Sequence, residues 1–274
     1  MKNGIYLVAT PIGNVRDISL RALDVLDRAD IVACEDTRVT KKLFSLLNLS
    51  MVGKKFVAIH NYNESDEATE LLDKAENNVI AYVSDAGSPL ISDPGYKLAR
   101  MCRQRGIFLT VVPGACAAIC GLQLSGLPTN TFMFAGFVPN KDKARRDFVE
   151  KYRNVETTLI FYETAARLRK TLEIMIDAFK DREIAVVREI TKVFEECQCG
   201  NVEYLMDYYA TNPLKGEIVL VVGPLVKKME VDFVAELKEE MKKSGLKTSV
   251  KLIVEKYNLN KNEVYKKALE LKND

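Results

Sequence analysis

Along the first 112 residues the apolar positions gather in short β-type runs at 5–9, 31–34, 56–59, 79–83 and 108–112. Between them lie stretches of helical period at 18–28, 38–47, 64–75 and 94–105. Strands alternating with helices of about ten residues predict a mostly parallel sheet with helices on both faces. In such open sheets ligands sit beyond the carboxyl ends of the strands. The expected site therefore lies in the loops 10–14, 35–38, 60–63, 84–94 and 113–117. After Leu122 the pattern changes to β-rich runs at 131–139, 157–163, 184–189, 192–200 and 216–223. Helical stretches at 141–152, 165–178 and 201–209 lie between them, which reads as a second α/β domain with a mixed sheet. An apolar helix at 115–124 joins the two halves. From Lys227 onward three helical patterns with polar turns follow, the last opened by a capping box from Asn260 to Glu263. The expected organisation is α/β: 1–113, 114–225, and a helical tail over 226–274.

Composition narrows the class without choosing a function. The 274 residues are 47% hydrophobic and 28% charged, with a formal net charge of +2, as in a soluble globular protein. No apolar run approaches the ~20 residues that span a bilayer, and the leading apolar run is too short for a signal-peptide core. A cytoplasmic location and no membrane partner are expected. The six cysteines do not fall into paired C-x-x-C knuckles, and His60 is the single histidine. Buried free thiols are favoured over a zinc site built from Cys116, Cys120, Cys197 and Cys199. A Ser-His-Asp triad is disfavoured because any histidine chemistry must rest on His60.

The unusual residues fall in the predicted site loops. "SDAGSPLISDPG" (84–95) packs two Pro, two Asp and two Gly into a sharply turned loop after a strand. Asp93-Pro94 explains a helix start, but not why "SDAGSP" is so constrained, so a ligand loop is expected there. "VPGACAAICG" (112–121) is a second strand–turn–helix, opening on small residues that let a ligand approach the backbone. Neither loop holds G-x-G-x-x-G or a Lys or Arg, which disfavours a phosphate-rich ligand. A flat base with a ribose and no phosphate suits both loops. The first turn, "ATPIGN" (9–14), has one glycine where a dinucleotide fold has several.

Seven segments then occur in one order: "TPIGNVRDIS", "CEDTR", "VSDAGSPLISDPG", "VPGACAAI", "GFVP", "TLIFYE" and "REITKVFEE". Together they resemble the ribosomal RNA small-subunit methyltransferase I family, a branch of the tetrapyrrole methylase superfamily. The resemblance implies the two-domain α/β tetrapyrrole-methylase fold (class III among S-adenosylmethionine methyltransferases) with a small helical C-terminal domain. It implies a homodimer that binds S-adenosyl-L-methionine (SAM) between its domains. The implied reaction is 2′-O-methylation of a cytidine ribose in the decoding region of 16S rRNA, on the small ribosomal subunit. Carried onto this chain, Ser84, Asp85, Ala86, Gly87 and Ser88 hold the methionine and ribose of SAM. Gly114, Ala115, Cys116 and Ala117 lie beside the cofactor, Phe161, Tyr162 and Glu163 flank its adenine, and Pro11 shapes the pocket. The superfamily's glycine-rich first loop is replaced by Thr10–Asn14, which makes a tetrapyrrole substrate less fitting.

A ribose hydroxyl is far from ionised at neutral pH, so its proton needs an acceptor. The candidates are Asp36, Glu189, Lys192 and Asp85, with Lys192 able to serve only if its pKa is depressed. RNA binding requires phosphate-neutralising charge. Residues 139–153 carry a net +3, with Lys141, Lys143, Arg145 and Arg146 clustered, and 242–272 carry +6. Asn14, Arg16 and Arg38 are expected to contact the RNA from the first-domain loops. Two other readings compete: a SAM methylase of a tetrapyrrole or modified protein side chain, and a non-catalytic RNA-binding protein.

Overall fold

In β1 (Gly4–Val8) every residue is buried, and successive side chains enter opposite cores. Ile5 and Leu7 join one apolar cluster, Tyr6 and Val8 the other. This period of two, with both faces covered, is what an internal parallel strand requires. The computed structural model describes residues 1–59, 64–92, 95–212, 214–225, 233–257 and 261–273. His60, Asp93, Pro94 and Asn260, and the side chain of Glu263, lie outside the described residues.

The first sheet is wholly parallel, in the order β3-β2-β4-β1-β5. Its other strands are β2 (Ile31–Cys34), β3 (Lys55–Ala58), β4 (Val79–Val83) and β5 (Leu109–Val112). The helices α1 (Leu20–Arg28) and α2 (Thr37–Leu46) supply one face. The other is covered by α3 (Glu64–Ala75) and α4 (Tyr96–Arg105). Ser19 starts α1 by accepting the Ala22 amide at 3.1 Å, the N-cap bond that a short hydroxyl side chain makes well. The fourth helix begins at Tyr96, after Gly95 at φ 118°.

The second sheet is mixed, in the order β6-β7-β10-β8-β9. It comprises β6 (Phe132–Phe137), β7 (Thr158–Thr164), β8 (Ile184–Arg188), β9 (Glu196–Gly200) and β10 (Glu217–Val222). Only β6 and β7 pair in parallel. Leu159 and Phe161 of β7 pack with α7 (Ala165–Phe179), whereas Ile160 and Tyr162 face the side covered by α5 (Ala117–Leu124). Close approach of α5 to the sheet depends on Gly121, where a Cβ would lie 2.6 Å from Val219 Cγ1. Between β6 and β7 runs α6 (Asp142–Lys151), and α8 (Val202–Thr211) follows β9.

Both sheets belong to one compact unit, residues 1–226. Residues 227–274 form another, with α9 (Val234–Ser244), α10 (Leu246–Tyr257) and α11 (Lys261–Asn273) around Leu237, Val250, Ile253, Val264 and Ala268. Part of its positive charge is paired locally, as in Lys243–Glu240 and Lys256–Glu236. Among the described residues no helix is long and apolar enough to cross a membrane.

Candidate functional site

The loops after β1, β2, β4 and β5 meet the second sheet around a cleft of about 290 Å³. Its first-sheet wall is built on the loop after β4. Thr10 and Gly87 exchange two backbone bonds, Thr10 N to Gly87 O at 2.9 Å and Gly87 N to Thr10 O at 3.1 Å. The buried Ser84 hydroxyl donates to the Gly87 carbonyl at 3.1 Å. Gly87 adopts φ +81°, and a Cβ there would press on Ile12. Such a left-handed position costs an L side chain about 1–2 kcal/mol. The result is a fixed loop that presents Asp85, Ala86, Gly87 and Ser88 to the cleft. The Asp36 amide donates to Asp85 Oδ1 at 3.1 Å and orients that carboxylate.

The opposite wall comes from Tyr162, Cys116 and Ala117 and from the β8–β9 connection. Tyr162 meets Phe134 and Phe137 edge to face at 4.8 and 5.2 Å, and its hydroxyl oxygen accepts the Ala118 amide at 3.1 Å. Two contacts bridge the walls. At Gly13 a Cβ would fall 2.6 Å from Lys192 Cγ and 2.7 Å from Thr191 Oγ1, and the Asn14 amide donates to Thr191 Oγ1 at 3.0 Å. On the other side the segment containing Ser92 approaches the bulged strand at Gly136. Leu90, Ser92, Glu189 and Thr191 all have φ between +49° and +69°. Left-handed non-glycine residues are costly and cluster at functional sites.

The titratable groups are arranged for structure more than for proton transfer. Lys192 Nζ reaches Glu189 Oε1 at 2.9 Å and Glu217 Oε2 at 3.2 Å. Burial pulls its pKa down, but the two carboxylates outweigh burial and hold the ammonium above its usual range. Glu189 is raised by burial and lowered more strongly by Lys192 and the Glu217 amide, so it stays ionised. Asp36 caps α2 and grips Arg38 through two oxygens, which brings its carboxyl to about 2. The surroundings of Lys192, Glu189 and Asp36 therefore argue against each as a general base near neutrality.

Several other expected residues are placed differently from their expected roles. Phe161 is fully buried on the helix side of β7, against Phe148, Tyr152 and Phe179, because strand alternation turns it away from Tyr162. Glu163 borders the cleft, but its buried carboxylate is taken up by the Thr164 amide, Arg167 and Thr171 Oγ1, at 2.6–2.8 Å. Arg145 is 1% exposed and donates to the Pro139 and Asn140 carbonyls at 3.1 and 2.8 Å. It locks the start of α6 and is not a phosphate contact. Lys141, Lys143, Arg146, Arg16 and Arg38 are exposed. The Asn14 side chain accepts the Arg16 amide at 3.1 Å. Pro11, Ser84, Gly114 and Ala115 are not among the residues that line the cleft; Gly114 has no room for a Cβ beside Ala9. The sequence did not single out Ile91, Phe137, Ile190 and Glu217, which also line the cleft. Glu217, at the first position of a strand, had no local signal.

Residues 4–205 match the model of the tetrapyrrole (corrin/porphyrin) methylases. The "Ribosomal RNA small subunit methyltransferase I" of Erythrobacter litoralis is 46% identical, covering 98% of this chain and 95% of that one. Its namesake from Vibrio cholerae is 43% identical over 97% and 94%. Among solved structures, a diphthine synthase superposes with TM-score 0.61 at 16% identity, covering 80% of this chain and 89% of that one. A cobalt precorrin-4 methyltransferase gives 0.58 at 18%, covering 80% and 94%; both likenesses bear on the fold alone. By its near-full-length relatives and the family model that spans residues 4–205, the chain belongs to the ribosomal RNA small subunit methyltransferase I family, within the tetrapyrrole methylases.

Proposed function

We propose that this protein transfers a methyl group from SAM to the ribose 2′-hydroxyl of a cytidine in the decoding region of 16S rRNA, acting on the small ribosomal subunit in the cytoplasm. Near-full-length likeness to relatives named for methylation of small-subunit ribosomal RNA carries the reading. The cleft is compatible with the donor: small residues Ala86, Gly87 and Ala117, an oriented carboxylate and an aromatic wall, with Lys192 already neutralised by two carboxylates. When bound, SAM supplies a methyl group activated by its positively charged sulfur.

The chain's own residues account for positioning. The Ser84–Ser88 loop holds the donor's polar groups, with Asp85 as its charged contact and Tyr162 and Ala117 as apolar walls. Fixing two reactants in line accounts for much of the acceleration in such a displacement. With Asp36, Glu189 and Lys192 engaged in ion pairs, Asp85 accepts the hydroxyl proton. Residues 1–113 and 114–225 act as two domains sharing this cleft, with 226–274 as a basic appendage, and the working form is a homodimer. Lys141, Lys143, Arg146 and Arg16 meet RNA phosphates. Incubating the protein with methyl-tritiated SAM and small subunits tests the reading. Label in 16S rRNA at a cytidine 2′-oxygen is expected, and its absence while SAM still binds overturns it.

A further inference from the structure

The connection from β8 to β9 is two consecutive tight turns. Lys192 N donates to Glu189 O at 2.9 Å and Glu195 N to Lys192 O at 3.2 Å, so Val193 and Phe194 occupy the two central positions of the second turn. Those positions ordinarily hold Gly, Pro, Asn, Asp or Ser. Here they hold two large apolar side chains, 92% and 70% exposed. The turn is firmly held: the Thr191 amide donates to Glu195 Oε2 at 2.7 Å, and the Asn14 amide to Thr191 Oγ1 at 3.0 Å. Turn geometry does not call for this apolar pair, and among the described residues nothing covers it.

The tip is continuous with the cleft. Glu189, Ile190 and Lys192 line the cleft wall, and Phe194 follows two residues later. Its Cα is within about 8 Å of that of Lys192, since consecutive Cα atoms are 3.8 Å apart. Exposed Arg16 lies on the neighbouring loop that Asn14 ties to Thr191. An exposed aromatic ring on a rigid turn next to a small-molecule cleft matches the way proteins hold unpaired nucleotides.

Resting on the function proposed above, we propose that Phe194, backed by Val193, is a stacking platform for an unpaired base of the RNA substrate. A base on this ring would sit at the cleft mouth while a ribose reaches toward Asp85. Aromatic stacking of one base contributes enough that its removal weakens binding by about tenfold or more.

The chain contains no tryptophan, so Phe194→Trp puts a single tryptophan at the tip, which can be excited apart from the tyrosines. Its emission is expected to be quenched by a single-stranded oligoribonucleotide and by small ribosomal subunits. Phe194→Ala should weaken binding to both by about tenfold, with SAM affinity, melting temperature and oligomeric state unchanged, and Phe194→Trp should restore binding. Unchanged RNA affinity in Phe194→Ala overturns the proposal. So does a shift in oligomeric state with no change in RNA affinity per dimer, which would assign the tip to a second copy. Methyl transfer to rRNA by the unaltered protein separates the two ideas. If transfer fails but quenching occurs, the reaction is wrong and the platform stands; if transfer succeeds without quenching, only the platform is wrong.

Discussion

At Gly13 the chain has room for a hydrogen and little else, because Ile190, Thr191 and Lys192 crowd the position from across the cleft. Gly13→Ala should therefore push the two walls apart or strain them, costing about 1–3 kcal/mol as overpacking does; a thermal melt reads the loss. This answers the oddity of the first turn, whose single glycine serves close packing against the second sheet and not a pyrophosphate. Asp85 is the charged group of the loop proposed to hold SAM, and Asp85→Ala should raise the dissociation constant for SAM by about tenfold or more in calorimetry, since bonds to charged groups contribute ~1.5–3 kcal/mol. An unchanged constant would mean that the loop serves another end. Arg145 and Arg146 are neighbours with opposite fates. Arg145→Ala leaves two carbonyls without their donor and should lower stability by about 1–3 kcal/mol. Arg146→Glu should leave the melt within about 0.5 kcal/mol and weaken RNA binding measured by filter retention. The sequence could have separated the two: Arg145 lies four residues before buried Val149, on the inward face of α6.

Among the elements, the β8–β9 connection depends most on charge. Glu189, Lys192 and Glu217 hold it to β10, and Gly216 is required because a Cβ there would overlap the Glu189 carboxylate. Glu189 is held below its ordinary range, so its contribution is complete above about pH 4.3 and is lost as pH falls through its lowered value. Lys192 is held above its ordinary range, so its contribution is complete below about pH 10.4 and is lost as pH rises through its raised value. Hydrogen exchange of the amides of residues 190–195, divided at each pH by the intrinsic base-catalysed rate, should therefore be flat between those limits and accelerate outside them. Glu189→Gln should accelerate it at neutral pH; equal exchange in the variant would contradict the clamp. Strands and helices were legible because periods of 2 and 3.6 are local properties. The clamp was not, since Lys192 and Glu217 are 25 positions apart. Nor was the fate of Phe161, because a three-residue motif assigns one role where a strand must point alternate side chains to opposite faces.

For the molecule as a whole, two sheets of different construction are joined so that the loops after β1, β2 and β4 face a wall built on the mixed sheet and the start of α5. The loops themselves were readable, because Gly, Pro and small residues after strand ends carry their physical reason in their chemistry. Which titratable groups could move a proton was not readable: pairing between Lys192, Glu189 and Glu217 removes candidates that the sequence alone leaves open. The central claim is that this cleft moves a methyl group from SAM to a ribose oxygen of small-subunit rRNA. The most direct measurement uses methyl-tritiated SAM and small ribosomal subunits lacking the modification, comparing the unaltered protein with Asp85→Ala. Label is expected in 16S rRNA, recovered as 2′-O-methylcytidine, with a loss of at least tenfold in the variant. Label on a base, or no label in RNA from a protein that binds SAM, would contradict the account.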